Sequence, residues 1–336
     1  MNRFRTALFV LGCSILVSRV VAAWQTEEAR SEGLRVSVAL RDGRSPREIL
    51  LLTVPEEDHV KVFDISDSPP KLFRTLGVSG KAAGQLDGPH GAWLAGNDNL
   101  YVLDSFNARV QVFDFTAIIS QDSDTHSFPP LRLWGEEGKE PGKFNLPVSG
   151  IVVTHQGRVL VGDTRNHRIQ VFDELGQLRS FFGGFGSGDG KLKLPGAIAL
   201  STSEEVLFVS DSMNGRVCAF DTGTGGFLFS IGRKGGGPGE FGIPTGIAVD
   251  REDSLYVLDR LAARISRFRP ERNADGGLTG MQLVGQWGNA GRQDGALLFP
   301  EGIAVDSQGR VYIVERAGNR GQVFTKAGTF VSVFYP

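Results

Sequence analysis

Residues 135–147 read Gly-Glu-Glu-Gly-Lys-Glu-Pro-Gly-Lys-Phe-Asn-Leu-Pro, and the pattern they follow, Gly-x-x-Gly-x-x-x-Gly-x-[Phe/Leu]-x-x-Pro, occurs five times without a gap. The other copies begin at Gly77, Gly183, Gly232 and Gly288. Internal repeats spaced by about 50 residues are typical of solenoids, propellers and other arrays of one supersecondary unit. The fold is therefore expected to consist of equivalent units.

Each repeat proline is followed by short apolar runs separated by turn residues, such as Gly-Ile-Ala-Val at 302–305 and Leu-Tyr-Val-Leu at 255–258. A third run closes on a phenylalanine nine residues after an acidic residue in all five copies, which pair Asp104 with Phe113, Asp163 with Phe172, Asp211 with Phe220, Asp259 with Phe268 and Glu315 with Phe324. Apolar runs between Gly, Pro, Asp and Asn indicate antiparallel strands joined by tight turns.

The same register extends back to a sixth, degenerate copy, with strands predicted at 34–40, 49–54, 59–63 and 72–76. Four-stranded sheets arranged radially bury their faces against each other and leave only short edges. The sequence predicts an all-β, six-bladed β-propeller with four antiparallel strands per blade, spanning 34–336. Each unit supplies its own strands in order, so no strand is expected to be borrowed from the N-terminus to close the ring.

The N-terminus has the three parts of a secretory signal peptide: Arg3 and Arg5, an apolar core at 7–17, and the small-residue site Val-Ala-Ala at 21–23. We expect a signal peptide at 1–23, cleavage near Ala23, a lead-in at 24–33, and a secreted or periplasmic protein. Apolar sequence continuing past Cys13 argues against a lipoprotein anchor there, which stays open as the alternative. Arg19 interrupts the apolar run, so no stable membrane span is expected.

The net charge limits the classes of partner that the protein would attract, and the cysteine count limits the disulfide bonds that it can form. The formal charge is −2, and removal of residues 1–23 with three arginines takes it to about −5. This balance gives no general attraction to nucleic acid or an anionic membrane. Cys218 would be the one cysteine of the mature chain, so no intramolecular disulfide is possible. It is expected to be a packed thiol in a monomeric protein.

The decapeptide at 163–172, Asp-Thr-Arg-Asn-His-Arg-Ile-Gln-Val-Phe, resembles the centre of the NHL repeat. Sibling motifs begin at Asp104 and Asp211, with weaker ones at Asp259 and Glu315. The resemblance covers all six units, and it implies a six-bladed propeller because known NHL domains have that fold. Some NHL domains bind RNA through a strongly basic upper face, but the arginines of this chain are too sparse to favour that function.

The repeated polar residues are expected to be architectural. The acid is expected to accept backbone N–H groups and close the turn between the second and third strands, and the arginine five residues later to reach the acid of its own or the next blade. The glycine-rich segments look like phosphate loops, most of all at 232–239, but phosphate loops precede a helix whereas these precede strands. Their glycines are expected to supply positive φ angles instead.

We define the upper face as the side of the disc where the outer-to-inner crossovers and the second-to-third strand turns open. Its innermost ring, just after each repeat proline, varies between copies and is predicted to contain His90, Val148, Ser149, Gly196, Thr245 and Glu301. The upper turns add Phe106, Arg165, His167, Met213, Arg260, Leu261 and Arg316. Arginines interleaved with apolar side chains resemble a protein-binding surface. An ordinary solvated rim is the alternative interpretation.

Two insertions lengthen the connections between the third and fourth strands of their blades. The insertions at 116–130 and 269–280 are expected to be solvated polar loops on the lower face, and no helix is expected.

Amidating lyases that resemble this fold place a zinc-binding histidine after the repeat proline, a pairing that only Pro89-His90 keeps. Lactonase-type propellers bind a divalent metal through convergent Glu, Asn and Asp, and Glu301 is the one acid of the inner ring.

These considerations favour an exported, non-catalytic binding module for a protein or small ligand, with no metal or cofactor. One acid supplies too little charge to hold a hard cation tightly. The alternative is a metal-dependent propeller enzyme, either a lactonase-type hydrolase or an amidating lyase, that would use Glu301 and His90.

Overall fold

The computed structural model describes residues 35–39 by their backbone, and residues 48–121, 125–148 and 150–335 with their side chains. The predicted signal peptide and lead-in, and with them Cys13, lie outside the described residues, as does Ser149. Among the residues described, no helix is long and apolar enough to cross a bilayer.

The predicted fold is confirmed: six four-stranded antiparallel sheets follow one another along the chain. Blade 1 contains β1 (Arg35–Ala39), β2 (Ile49–Val54), β3 (His59–Asp64) and β4 (Lys71–Leu76). Blade 2 contains β5 (Pro89–Leu94), β6 (Asn99–Asp104), β7 (Arg109–Asp114) and β8 (Arg132–Trp134). Blade 3 contains β9 (Ile151–Val153), β10 (Val159–Asp163), β11 (Arg168–Phe172) and β12 (Leu178–Gly183).

The second half of the chain repeats this arrangement. Blade 4 contains β13 (Pro195–Leu200), β14 (Val206–Asp211), β15 (Arg216–Asp221) and β16 (Phe227–Ile231). Blade 5 contains β17 (Pro244–Val249), β18 (Leu255–Asp259), β19 (Arg264–Arg272) and β20 (Leu278–Trp287). Blade 6 contains β21 (Pro300–Val305), β22 (Val311–Glu315), β23 (Arg320–Phe324) and β24 (Phe330–Phe334).

The second strands are mostly apolar, and both of their faces are buried. Successive side chains of a strand point to opposite faces. In β2, Ile49 and Leu51 pack between blades 1 and 2, whereas Leu50 and Leu52 pack between blades 1 and 6. One such apolar cluster fills each boundary between neighbouring blades. The core is therefore a ring of six interfaces rather than one centre.

The ring closes where blade 6 meets blade 1, and β1 pairs with β2 of its own blade, as predicted. Side chains connect the two blades at this boundary. Arg310 Nη2 donates to the Ile65 carbonyl at 2.7 Å, and the Ser307 amide donates to Glu48 Oε1 at 3.0 Å. Closure therefore depends on apolar packing and side-chain hydrogen bonds.

Each glycine-rich segment is anchored by the apolar residue three positions before its proline. These five side chains, at most 1% exposed, are Leu86, Phe144, Leu192, Phe241 and Leu297. The first glycine of every segment has a positive φ, as expected. At Gly77, with φ +131°, a Cβ atom would lie 2.3 Å from the Asp58 carbonyl oxygen. Each segment is therefore anchored in the scaffold by a buried side chain.

The predictions for the two insertions were wrong. The first contains a short helix, α1 (Phe115–Ser120), and its Phe115 and Ile118, together with Phe128, are buried in the cluster between blades 1 and 2. The second extends β19 and β20 into a long hairpin whose Leu278 and Met281 pack on the cluster between blades 4 and 5. Both insertions are mostly polar, but a few of their apolar residues pack against the interface between two blades.

Candidate functional site

A buried polar network fixes the turn between the second and third strands to the glycine-rich segment. Asp163 Oδ1 accepts the Asn145 amide at 2.8 Å, while Oδ2 accepts Asn166 Nδ2 at 2.8 Å and Arg168 Nε at 2.8 Å. Burial raises the pKa of Asp163, although these hydrogen bonds and the Arg168 charge act to lower it. Asp163 therefore accepts a backbone N–H group of the glycine-rich segment, whereas in blade 5 Asp259 Oδ1 accepts the amides of Leu261 and Ala262 in its own turn, as predicted.

The same acid–arginine contact occurs in blades 2, 4 and 6, through Arg109, Arg216 and Arg320. Blade 5 differs. Arg264 donates to the carbonyls of Gly236, Gly237 and Glu240, but its Nε has no hydrogen-bond partner among the described residues. The architectural role predicted for these arginines is confirmed in four blades, in each case toward the acid of the same blade.

The position directly after the motif acid separates blades 2 to 4 from blades 5 and 6. In blades 2 to 4 it carries a buried hydroxyl, from Ser105, Thr164 and Ser212. In blades 5 and 6 it carries Arg260 and Arg316. The amides of these two arginines donate to the carbonyls of Ile243 and Phe299, directly before the repeat prolines, at 3.0 and 3.2 Å.

Arg260, Glu301 and Arg316 converge at the top of the innermost strands. Nη1 of Arg260 and Nη1 of Arg316 each lie 3.8 Å from Oε1 of Glu301. The Glu301 side chain is 4% exposed, whereas those of Arg260 and Arg316 are 18% and 35% exposed. Three residues proposed from sequence thus form one cluster, the arginine cluster, with its carboxylate below and its guanidinium groups above.

Apolar side chains flank the arginine cluster on the surface. Leu261 is 71% exposed, and Phe299, which the sequence reasoning missed, is 59% exposed. Phe299 has a φ of +51°, so its backbone adopts the left-handed conformation just before Pro300. The residue before each repeat proline varies between copies as the inner-ring residues do, and that variation was the signal that would have identified it.

His90 and Phe106 form a second group. The His90 ring is fully buried, donates from Nδ1 to the Gly88 carbonyl at 2.7 Å, and meets the Phe106 ring edge to face at 5.7 Å. Thr245, at the equivalent position of blade 5, is also buried. His90, Thr245 and Glu301 therefore lie below the surface that the upper turns form, whereas Gly196 is partly exposed.

His167 belongs to a third group around the turn of blade 3. Its Nδ1 accepts the Leu194 amide at 3.0 Å, and its ring lies 5.1 Å from that of Phe185, which is 67% exposed. Lys193 Nζ lies 5.9 Å from the centre of the Phe185 ring. Burial lowers the pKa of His167; the Asp211 charge opposes this effect, and the Lys193 charge adds to it. Arg165 is partly exposed and Met213 is 40% exposed on the same face.

The described parts of the chain contain no group of three or more His, Cys, Asp and Glu side chains placed to hold a metal ion. At Glu301 the two nearby guanidinium groups also oppose the approach of a cation. The acid is better suited to orienting the arginines.

Two family models match parts of this chain. Residues 192–271 match a family model described as a 6-bladed beta-propeller. Residues 148–172, which contain the Asp163 motif, match the NHL repeat. The chain is a six-bladed β-propeller that contains an NHL repeat at 148–172, and the resemblance to the NHL-repeat family is confirmed.

Curated relatives and solved structures agree with this. Protein brain tumor of Drosophila melanogaster is 29% identical over 140 residues, 42% of this chain and 13% of that protein. Human NHL repeat-containing protein 3 is 35% identical over 111 residues, 31% of this chain and 28% of that protein. The chain thus matches less than a third of the length of either relative.

Virginiamycin B lyase from Staphylococcus aureus is a structural neighbour with a TM-score of 0.54 and 12% identity, over 91% of this chain and 85% of the lyase. At this identity the similarity shows the fold alone.

Proposed function

We propose that this chain is an exported binding module that docks a protein partner on its upper face, without chemistry of its own. The observation that carries the proposal is the exposure of Met213, Leu261 and Phe299 on the consecutive blades 4 to 6, interleaved with arginines. Interfaces are enriched in aromatic, Met and Arg side chains. An NHL-type propeller is consistent with such a role.

Apolar side chains are also exposed on the outer strands, including Phe73, Leu133, Phe181 and Leu228. These lie on the outermost strand of successive blades, so they are distributed around the circumference. Scattered apolar residues are normal on a protein surface, whereas a patch indicates an interaction site. The upper face is therefore the favoured docking surface.

Site-specific photo-crosslinking tests this choice. A benzophenone amino acid at Leu261 or Phe299 is expected to trap one partner in the native compartment, and the same probe at Leu133 or Leu228 is not. The partner, once purified, is expected to lose affinity for Leu261→Ser and Phe299→Asn variants, but not for Leu228→Ser.

Crosslinking from the outer positions alone would contradict the proposal. So would turnover of a lactone or a peptidyl-α-hydroxyglycine with an added divalent metal, if Glu301→Ala or His90→Ala abolished it. That result would favour the enzymatic alternative.

Export is part of the proposal and rests on the sequence of residues 1–23. Sequencing of the exported protein is expected to give Trp24 as the N-terminal residue. A Cys13→Ser variant is the control, because it blocks a lipoprotein anchor but leaves cleavage after Ala23 unchanged. An N-terminus at residue 13, or retention of Met1, would contradict this part.

A further inference from the structure

The glycine-rich segment that leads into blade 4 carries a phenylalanine, Phe185, that the scaffold does not need. The equivalent residues of the other four segments are Ser79, Glu137, Lys234 and Ala290. In all five segments the backbone at this position forms the same isolated bridge to the buried residue seven positions later, whatever its side chain. Phe185 is 67% exposed, although contact of a large apolar side chain with water is unfavourable.

The Phe185 side chain is held in place by its neighbours. The backbone on either side is fixed, because the Leu192 amide donates to the Gly184 carbonyl at 2.9 Å and the Gly186 amide donates to the Leu192 carbonyl at 3.2 Å. The ring packs against that of His167, whose imidazole is itself hydrogen-bonded to the backbone. A side chain that is already ordered loses little conformational entropy when a partner binds. Phe185 is therefore suited to anchor a partner.

Met213 continues this surface onto the turn of blade 4. Its amide donates to the Lys193 carbonyl at 3.2 Å, and Lys193 Nζ lies 5.9 Å from the centre of the Phe185 ring. Met213 is 40% exposed, and its flexible, polarizable side chain is of a kind that binding surfaces use. Phe185, Lys193 and Met213 thus form one continuous surface, the Phe185 patch.

Three lysines, Lys191, Lys193 and Lys234, give this part of the upper face a positive charge. Lys191 and Lys193 belong to the segment of the patch, and the Lys234 backbone packs against the turn of blade 4. In the part of the chain that the structure describes, none of the three ammonium groups forms an ion pair with a carboxylate. The buried acid of the turn, Asp211, is bound by its own arginine, and Asp189 is exposed in the same segment. This balance attracts anionic groups.

We propose that the Phe185 patch binds an acidic segment of the docked protein partner, with an apolar side chain of that segment against Phe185 and Met213 and a carboxylate at Lys193. This inference rests on the proposed function, and it specifies the chemistry of the partner and the part of the upper face that receives it. Contact between apolar side chains removes both from water, and complementary charge favours an acidic sequence over a basic one.

The patch fits a polypeptide better than another polyanion. Single-stranded nucleic acid is bound by grooves in which successive bases stack on several aromatic rings. Phe185 provides one such ring, whereas its exposed neighbour Met213 is not aromatic. Recognition of anionic lipid uses clusters of about four to eight basic residues, more than the three lysines around the patch.

Selection from a random dodecapeptide phage library on the purified protein tests the inference. The expected result is enrichment of sequences in which Asp or Glu lies near an aromatic or aliphatic residue. The enriched peptide is then made in three forms: as selected, with its acids changed to amides, and with its apolar residue changed to Ser. Dissociation constants are measured by fluorescence anisotropy. Both altered peptides are expected to bind at least about tenfold more weakly, since each loses one of the two contacts.

Phe185→Ser is the central variant of the protein, because serine is the residue that the first segment carries at the same position. It is expected to weaken peptide binding at least about tenfold. Its melting temperature is expected to stay within about 2 °C of the parent, as for other exposed positions. Phe181→Ser is the matched control, because Phe181 is 51% exposed on the outer strand of blade 3. This control is expected to leave the affinity unchanged.

Lys193→Gln and Lys234→Gln test the charge. Each is expected to weaken peptide binding several-fold, and an increase in salt from about 0.05 M to about 0.3 M is expected to weaken the parent more than the double variant. Lys139→Gln removes an exposed lysine from the segment that leads into blade 3 and is not expected to change the affinity.

Four results would overturn the inference. They are an unchanged affinity of Phe185→Ser, equal binding of the acid and amide peptides, enrichment of basic peptides, and no enrichment at all. Displacement of the peptide by an equimolar single-stranded oligonucleotide would assign the patch to nucleic acid and would overturn it as well.

The two proposals fail in different ways. If Leu261→Ser or Phe299→Asn weakens peptide binding while Phe185→Ser does not, the Phe185 patch is wrong and the upper face stands as the docking surface. If only the outer-strand variants Phe181→Ser or Leu228→Ser weaken binding, both proposals are wrong.

Discussion

Nε of Arg168 lies 2.8 Å from Oδ2 of Asp163, and their side chains are 9% and 0% exposed. Removal of one partner from a buried ion pair leaves the other charge uncompensated, at a cost of about 3–5 kcal/mol. Arg168→Gln is therefore expected to lower the free energy of unfolding by about that amount.

Arg264→Gln is the matched control for this prediction, because Arg264 donates to carbonyls but its Nε atom has no hydrogen-bond partner in the part of the chain that the structure describes. Loss of hydrogen bonds to neutral acceptors costs roughly 1–2 kcal/mol. Urea unfolding followed by tryptophan fluorescence measures both variants. Equal losses of stability would show that the acid contributes little to the network.

Gly77 is expected to tolerate no side chain. Its φ of +131° is strained for any other residue, and a Cβ atom would clash with the Asp58 carbonyl oxygen. Gly77→Ala is predicted to cost about 3 kcal/mol or more, since the strained backbone alone costs about 1–3 kcal/mol. At Gly96 a Cβ atom would meet no described atom within 4 Å, so Gly96→Ala is expected to stay within about 0.5 kcal/mol of the parent. Thermal melting with equal midpoints for both variants would refute this account.

Cys218 is expected to be chemically inert in the folded protein. It is fully buried, and burial raises its pKa to about 12. The thiolate is the reactive form, so its population stays low at every pH below that value. In a Cys13→Ser background, Ellman's reagent at pH 8 is expected to detect no thiol in the folded state and one after denaturation in urea. Rapid labelling of the folded protein would mean that the blade 3–4 interface opens readily.

His167 is expected to make the protein less stable in mild acid. Its Nδ1 accepts the Leu194 amide, and burial lowers its pKa below the ordinary value near 6.5. The unfolded state then binds the proton more readily, so this contribution to stability is complete above that value and is lost as the pH falls through the unfolded and then the folded pKa.

His167→Asn removes the titration and keeps a residue that tolerates the left-handed backbone at φ +57°. Melting temperatures of the parent and His167→Asn are compared between pH 7.5 and pH 5. The parent is predicted to lose more stability than the variant. Parallel decreases would assign the pH dependence to other groups.

The sequence was sufficient for the architecture because each element of a propeller blade is local. The glycine-rich segments, the apolar run of each second strand and the phenylalanine of each third strand mark turns and interfaces within about 50 residues of chain. The sequence left open whether Arg168 reaches the acid of its own or of the next blade, and the structure places it on Asp163 of its own blade. The helix α1 was missed because Phe115 and Ile118 are too few to show a helical period, and their burial depends on blade 1.

The candidate site was only partly predictable. The sequence placed Arg260, Glu301 and Arg316 on one face because their positions in the repeat determine the face. It could not place Glu301 beside both arginines, since Arg260 reaches it across a blade boundary from 41 positions earlier in the chain. Nor could it show that His90 is buried while Phe299 is exposed. Repeat register determines which end of a blade a residue occupies, whereas contacts between blades depend on how the six sheets pack, and only the tertiary structure decides that.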